Sequence, residues 1–333
     1  MHLLYVNFPS WLKPEIIPGL PVRWYGLMYI FAFATAFILY RKQVKERNFP
    51  MSEDNLSSLF FWGILSLLIG ARLFSTLIYE AGDKYIKAPW LIFWPFNKQG
   101  QFTGLQGMSY HGGAFFGLLS VIIFAKVKKI SFREIGDMFA AAIPLGFTFG
   151  RLGNFINAEL YGRATASPLG MLFPERTTEP LPTWEPWVQE IAEKTGIIAT
   201  GALVNLPRHP SQLYEAFFEG IVLWAIIWFF RNRKPFKGFL VGLYFLGYGL
   251  FRFFIEYFRE PDAHLGYRFA NLTTGQILCS FMILFGIVWL IAASRMPNRE
   301  PVRVYSEEEQ KQAEIEEAKA ERNRQRKLRK KLR

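Results

Sequence analysis

In the stretch "GFLVGLYFLGYGLFRFFIEYFRE", Tyr248, Arg252 and Glu256 recur at intervals of four, which puts them on one face if the stretch is helical. A second polar run, "GRLGNFINAELYGR" at residues 150–163, follows the apolar "FAAAIPLGFTF" and carries Arg151, Asn154, Glu159 and Arg163. Arg72 interrupts another apolar run, and His111 stands in "SYHGGAFFG", where Gly112 and Gly113 clear space beside its ring. These residue types suggest a definite chemistry. Guanidinium forks match phosphate oxygens in bidentate geometry, and imidazole can take a proton near neutral pH. An anion site with a base is one reading of the set. The competing reading is that Arg252 with Glu256 is an ion pair that only fixes helix packing, and that Arg72 snorkels to an interface.

Groups of this kind need helices to position them, and the composition says where those helices lie. The 333-residue chain is 51% apolar and 17% aromatic, yet its formal charge is +12, a pairing that fits a membrane protein with basic flanks. A hydrocarbon core of roughly 30 Å takes about 20 mostly apolar residues per helix. Seven candidate spans follow, at residues 22–40, 56–79, 109–126, 136–152, 211–230, 238–258 and 273–293. The N-terminal stretch lacks a basic region followed by an apolar one and a cleavage site, so it is expected to stay on the mature protein. The single cysteine, Cys279, lies within the last apolar run. That excludes an internal disulfide framework or a cysteine-rich metal site and leaves a small core residue.

The links "RKQVKERN", "KVKKISFR" and "RNRKPFK" and the terminal "RNRQRKLRKKLR" are basic, which assigns them to the cytoplasm by the positive-inside rule. The expected fold is an all-α polytopic membrane protein with seven transmembrane helices, its N-terminus outside and its C-terminus cytoplasmic. Residues 1–21 form an outward segment, 22–152 the first four helices, 153–209 a small outward head, 210–293 the last three helices and 294–333 a charged tail. The basic surplus then records orientation and attraction to anionic lipid, so no nucleic-acid partner is required. Residues 306–333 run from acidic to basic, which suits a solvated helix. Pro144 is expected to bend the fourth span. The pairs Gly113 with Gly117, Gly146 with Gly150 and Gly238 with Gly242 are expected to permit close helix contact.

With this orientation Tyr25, Arg72, His111, Arg151, Glu215 and Arg252 are all drawn toward the outer side, while inner halves such as "VLWAIIWFF" carry no charge. Ionisable groups in a bilayer face a bundle interior and serve a function by default. Isolated packing pairs have no reason to share one depth, and lipid phosphate is the abundant anion there. His209, in "RHPSQLYEA", reads as part of a helix start with Ser211 as its cap. Gly153 and Gly162 read as points where the chain leaves a helix and turns. No H-E-x-x-H helix, phosphate loop, G-x-S-x-G elbow or H-x-x-x-x-D pair occurs, so zinc hydrolysis, ATP use and standard acyl transfer lose ground. No metal or cofactor is called for, because guanidinium groups can supply the positive charge.

The run "GRLGNFINAELYGR", with "RWYGLMY", "GAR", "GMSYHGG", "HPSQLYEA" and "RFFIEYFREPD" in order, resembles the motifs of the prolipoprotein diacylglyceryl transferases over about residues 20–293. The resemblance implies a seven-span enzyme of the bacterial inner membrane with its active site toward the outer leaflet. It would move the diacylglyceryl group of phosphatidylglycerol to the lipobox cysteine thiol of a prolipoprotein signal peptide, forming a thioether and releasing glycerol phosphate. By motif it implies His111, Arg151 and Arg252 as catalytic, with Tyr25, Asn154, Glu159, Tyr248 and Glu256 around the substrate; Arg72 joins them on its depth. Tyr110 stands where phenylalanine is expected and Gln106 where glycine is common, which affects local packing. The rival is an anionic-lipid transporter or flippase. Transporters usually bind near the midplane between related halves, whereas this chain has outer-skewed charges, an odd span count and no visible repeat.

Overall fold

A helix closes its backbone hydrogen bonds within one segment, which is the condition for an apolar run to sit in lipid, and the long apolar runs of this chain are helical. A computed structural model describes residues 5–17, 22–80, 82–97, 99–101, 104, 107–260, 272–297 and 307–331. Gln106 and the final two residues of "RFFIEYFREPD" lie outside them. The chain begins with β1 (Val6–Asn7), α1 (Trp24–Glu46), α2 (Glu53–Phe74) continued by a π-helical turn at Ser75–Tyr79, α3 (Lys84–Lys87) and a 3-10 turn at Pro89–Ile92. Next come α4 (Tyr110–Lys128), α5 (Phe132–Ala140), α6 (Ile143–Ile156), β2 (Met171–Leu172), β3 (Leu181–Pro182), α7 (Pro186–Thr195) and β4 (Leu203–Val204). A continuous run then joins α8 (Ser211–Glu215), a π-helical segment (Ala216–Val222) and α9 (Leu223–Phe230), followed by α10 (Phe239–Ile255), α11 (Thr274–Arg295) and α12 (Glu307–Lys331).

Among the described residues five helices are long and apolar enough to cross a bilayer: α1, α2 with its π turn, α4, the Ser211–Phe230 run and α11. The pair α5 and α6, bent by 45°, makes a sixth if counted as one span, and α10 is a shorter apolar helix. The bend falls where Pro144 opens α6, as expected of a residue that cannot donate a helical hydrogen bond. On α11, Phe281, Leu284, Phe285, Val288 and Ile291 are exposed. A contiguous apolar exterior of this kind is at rest only against lipid.

The chain divides into two compact units, Met1–Gln43 with Gly136–Tyr305, and Val44–Ile135 with Ser306–Arg333. In the first, α10 and α11 meet through glycine. A Cβ on Gly286 would lie 2.7 Å from the Leu246 amide and 3.0 Å from the Gly242 carbonyl. The start of α10 rests on Asp137 of α5, whose carboxylate accepts the amides of Gly238 at 2.8 Å, Leu240 at 2.9 Å and Val241 at 3.2 Å, and the Lys234 ammonium at 2.7 Å. Both Asp137 and Lys234 are buried. Asp137→Ala is therefore expected to lower stability by about 3–5 kcal/mol, because it strands a buried charge and three helix donors at once. Thermal unfolding in detergent checks this, and an unchanged midpoint would show that the carboxylate is not holding the helix start.

In the second unit α2 and α4 close on each other at Gly70 and Gly112, where a Cβ on Gly112 would meet the Gly70 carbonyl at 2.3 Å. The expected small-residue pairs are only partly used. A Cβ on Gly113 would lie 3.4 Å from Leu67 and Ala71, and one on Gly146 2.9 Å from the Ala32 carbonyl, but one on Gly150 would meet nothing outside its own helix within 4 Å. Gly238 has φ of 93° and precedes α10 as its cap, so its freedom serves the backbone as well as the packing.

Between α6 and α8 the chain forms, together with β1 and Phe8 of its N-terminal segment, a small region with strands, which qualifies the all-α expectation. There β1 runs parallel to β2 and β3 antiparallel to β4. Phe8, Ala158, Met171 and Phe173 fill one cluster, and Val188, Ala192, Val204 and Leu206 another. Residues Glu307–Lys331 are helical, as expected from their charge gradient.

Candidate active site

Glu215 ends α8 and has no solvent exposure, and a carboxylate can stay ionised there only if it is paired. Three guanidinium groups meet it. Its Oε2 lies 2.7 Å from Arg151 Nε and 2.7 Å from Arg252 Nη1, while Oε1 accepts from Arg259 Nη1 at 2.8 Å. From there the network spreads along α10. Arg252 Nη2 lies 3.3 Å and Arg259 Nε 3.6 Å from Glu256 Oε2, and Arg252 Nη1 lies 3.7 Å from Glu219 Oε1. Glu256 Oε1 also accepts from the Thr273 hydroxyl at 3.2 Å. Thr273 caps α11 in a reciprocal box with Gln276, so the cap and the site share one hydroxyl.

The other branch runs through α6 and the turn behind it. Arg151 lies over the Phe147 ring at 4.8 Å, and its Nη1 donates to Asn154 Oδ1 at 3.4 Å. Asn154 Nδ2 and Asn157 Nδ2 donate to Glu159 Oε1 at 2.9 and 3.2 Å. Glu159 can face back toward the helix because Ala158 and Leu160 on either side are left-handed, with φ of 53° and 56°. The turn is thus made by these two residues rather than by glycine. Gly153 stays within α6, where a Cβ would lie 3.0 Å from the Tyr25 ring, and Gly162 admits the Phe258 carbonyl, 2.1 Å from where its Cβ would be. Small size, not a turn conformation, is what those two glycines supply.

Ser211 does not cap its helix. It is the first residue of α8, and its hydroxyl donates to the Leu160 carbonyl at 3.1 Å, while Gln212 Nε2 donates to the Glu159 carbonyl at 2.6 Å. These bonds tie the turn to the fifth apolar run, and the side chain serves them instead of its own helix end. His209 makes backbone pairings with Gly162 and Arg163, its Nδ1 lies 3.3 Å from the Tyr214 hydroxyl, and its ring is 5.1 Å from that of Phe258. Burial holds its imidazole below the usual range, which suits a packing role. Arg163 Nε donates to the Arg259 carbonyl at 2.7 Å, so it clamps the motif to the end of the sixth run.

Two further residues flank this network. Tyr25 places its hydroxyl 3.2 Å from that of Tyr29, and Tyr248 stacks on Tyr244 and stands edge-on to Phe147, with both centroid distances 5.9 Å. In the second unit, His111 Nδ1 lies 2.7 Å from the hydroxyl of Tyr79, the last residue of the π turn after α2. Tyr110, the departure from the expected phenylalanine, sits edge-on to the His111 ring at 5.7 Å. Arg72 is 5% exposed, and it donates through Nε to the Ile92 carbonyl at 2.5 Å and through Nη1 to the Gly107 carbonyl at 3.1 Å. At least two of its donors therefore hold loop backbone, a use that depth in the sequence does not reveal. The described residues contain no group of three or more His, Cys, Asp or Glu arranged to hold a metal ion.

The model of the prolipoprotein diacylglyceryl transferase family matches residues 14–292, which covers the whole Glu215 network. The chain belongs to the prolipoprotein diacylglyceryl transferase family. It is 52% identical over 320 residues to the phosphatidylglycerol–prolipoprotein diacylglyceryl transferase of Treponema denticola, covering 87% of this chain and 94% of the relative. The Treponema pallidum transferase of the same name is 51% identical over 328 residues, covering 90% and 99%. That of Chlorobaculum tepidum is 42% identical over 290 residues, covering 86% and 91%. In this member of the transferase family, Arg151, Asn154, Glu159, Arg252 and Glu256 are brought into one network. Glu215, its hub, was legible only as a polar group at the shared depth, and Arg259 and Tyr79 were not assigned. Arg259 carried a usable signal: with Arg252 and Glu256 it continues a spacing of four and three along one helical face.

Proposed function

We propose that this transferase moves the diacylglyceryl group of phosphatidylglycerol to the lipobox cysteine thiol of a prolipoprotein, at the outer leaflet of a bacterial inner membrane. The observation that carries this is the set of three arginines held around one buried carboxylate by the family's long motifs. The relatives' names supply the donor and acceptor. Arg151 Nε, Arg252 Nη1 and Glu215 Oε2 approach closely but make no aligned hydrogen bond, so these donors can be redirected to a phosphate without losing an ideal one. In the orientation that the basic links support, α5 with α6 and α10 complete seven spans, and the region between α6 and α8 faces outward as a head.

The reaction is a displacement at a glycerol carbon. The cysteine sulfur forms the new carbon–sulfur bond as the carbon–oxygen bond to phosphate breaks, its electron pair leaves with the phosphate, and the thiol proton goes to a base. Arg151 and Arg252 bind the phosphate and stabilise its departure, with Asn154, Glu159 and Glu256 fixing their orientation. His111 is the assigned base, and Tyr25 and Tyr248 line the donor. The prolipoprotein enters sideways from the membrane, since its signal helix is apolar.

Purified protein in detergent, given a lipobox peptide and one lipid at a time, tests the assignment. Phosphatidylglycerol is expected to yield a diacylglyceryl adduct on cysteine, and a peptide with serine in place of cysteine none. Movement of lipid between vesicle leaflets with no adduct would overturn the enzyme reading in favour of a transporter.

A further inference from the structure

The carboxylates around Arg252 are not used alike. Glu215 accepts an aligned hydrogen bond from Arg259 and Glu256 accepts one from Thr273. Glu219 is 0% exposed, neither of its oxygens accepts a hydrogen bond from any described residue, and its ion contact to Arg252 is 3.7 Å long. An ionised carboxylate in such a place lacks both water and a close partner.

The backbone that puts it there is irregular as well. Glu219 lies in the π-helical segment Ala216–Val222, a form that recurs at functional sites. Thr148 of α6 holds the segment by donating its hydroxyl to the Ala216 carbonyl at 3.2 Å, and only a glycine at 220 admits that hydroxyl, since a Cβ would lie 2.0 Å from it. The charged and titratable side chains on the packed elements are Arg151 of α6, Tyr214 and Glu215 of α8, and Tyr244, Tyr248 and Arg252 of α10 with Glu256 at its end. Cys279 of α11 interacts electrostatically with Glu219, and α9 brings none.

The charges set the constraint. Arg151, Arg252 and Arg259 balance Glu215, Glu219 and Glu256 when no anion is present. A phosphodiester docking on Arg252 adds one negative charge in a site poor in water. Neutralising Glu215 would weaken two guanidinium contacts at 2.7 Å and an aligned hydrogen bond, and neutralising Glu256 two ion contacts and an aligned hydrogen bond, whereas neutralising Glu219 gives up only a contact of 3.7 Å. We infer that Glu219 is the proton-holding residue of this site, taking one proton from solution as the lipid phosphate docks and giving it to the phosphate as the carbon–oxygen bond breaks.

The steps balance. The departing phosphate would carry a second negative charge, the Glu219 carboxyl O–H neutralises it, and the carboxylate re-forms, while the thiol proton leaves through the base to solution. This rests on the anion-site reading above, and it adds a proton inventory that the reading does not contain.

Calorimetric titration of the full-length protein with short-chain phosphatidylglycerol, in two buffers of different protonation enthalpy, separates the two claims. The diester itself does not titrate near neutral pH, so any proton comes to the protein. Uptake of about one proton per lipid is expected. In Glu219→Gln the uptake should vanish, the lipid should bind at least as tightly, and kcat should fall by about 10²-fold without a rise in KM. Glu219→Asp, which keeps a carboxyl, should retain the uptake. Lipid binding with no uptake in the unaltered protein, uptake that persists in Glu219→Gln, or loss of uptake in Glu219→Asp overturns the proton assignment alone. Absence of any lipid binding overturns the anion site and this inference together.

Discussion

Arg252→Gln is expected to lower thioether formation by about 10²- to 10³-fold while leaving the protein folded. Arg252 contacts Glu215, Glu219 and Glu256 within 3.7 Å and its side chain is 15% exposed, so it joins the buried charges to the accessible part of the site. Glutamine keeps polar bulk but brings no charge to the departing phosphate. Folding should survive because Glu215 retains Arg151 and Arg259 at 2.7 and 2.8 Å, and Glu219, which loses its 3.7 Å contact to Arg252, can take up a proton instead of staying charged. Arg252→Lys should recover only part of the rate, since an ammonium is a point charge and cannot engage phosphate as a planar fork. Single-turnover assays with labelled phosphatidylglycerol, alongside circular dichroism and a thermal melt, read both effects. An unchanged rate would remove Arg252 from the site.

For His111→Gln a loss of about 10²- to 10⁴-fold in the chemical step is expected, the range for a positioned base. The 2.7 Å contact between His111 Nδ1 and the Tyr79 hydroxyl makes the assignment more specific. For Nε2 to accept the thiol proton, Nδ1 must carry hydrogen and donate it to the Tyr79 oxygen; the opposite tautomer presents a donor where a base is needed. Tyr79→Phe removes that acceptor and should slow the reaction less than His111→Gln, with lipid binding preserved. Full turnover by His111→Gln would make the base assignment wrong.

Much of this was legible because its causes are local or one-dimensional. Apolar length marked five long helices and the bent pair α5 and α6, the missing amide of Pro144 marked the bend, and intervals of four placed Tyr248, Arg252 and Glu256 on one face. What could not be read depended on groups far apart in the chain. Asp137 caps a helix whose first bonded amide lies 101 residues later, and nothing near Asp137 announces it. Glu215 gathers arginines from two different runs. Arg72 looked like part of an anion site because depth reports cost but not partner, and its donors reach carbonyls at Ile92 and Gly107. Ser211 shows the same limit at short range: a serine at a helix start usually caps it, yet here the Leu160 carbonyl takes the hydroxyl. Glycine was the least reliable sign, since Ala158 and Leu160 supply the turn while Gly153 and Gly162 supply room.

In the proposed reaction an arginine-held phosphate leaves as the cysteine sulfur takes its place on glycerol. Mass spectrometry of a lipobox peptide after incubation with the purified protein and phosphatidylglycerol tests it most directly, with released glycerol phosphate measured in the same reaction. A diacylglyceryl thioether on the cysteine and glycerol phosphate are expected in equal amount, both nearly abolished in Arg252→Gln. An adduct formed without glycerol phosphate release, or formed equally well by Arg252→Gln, would contradict it.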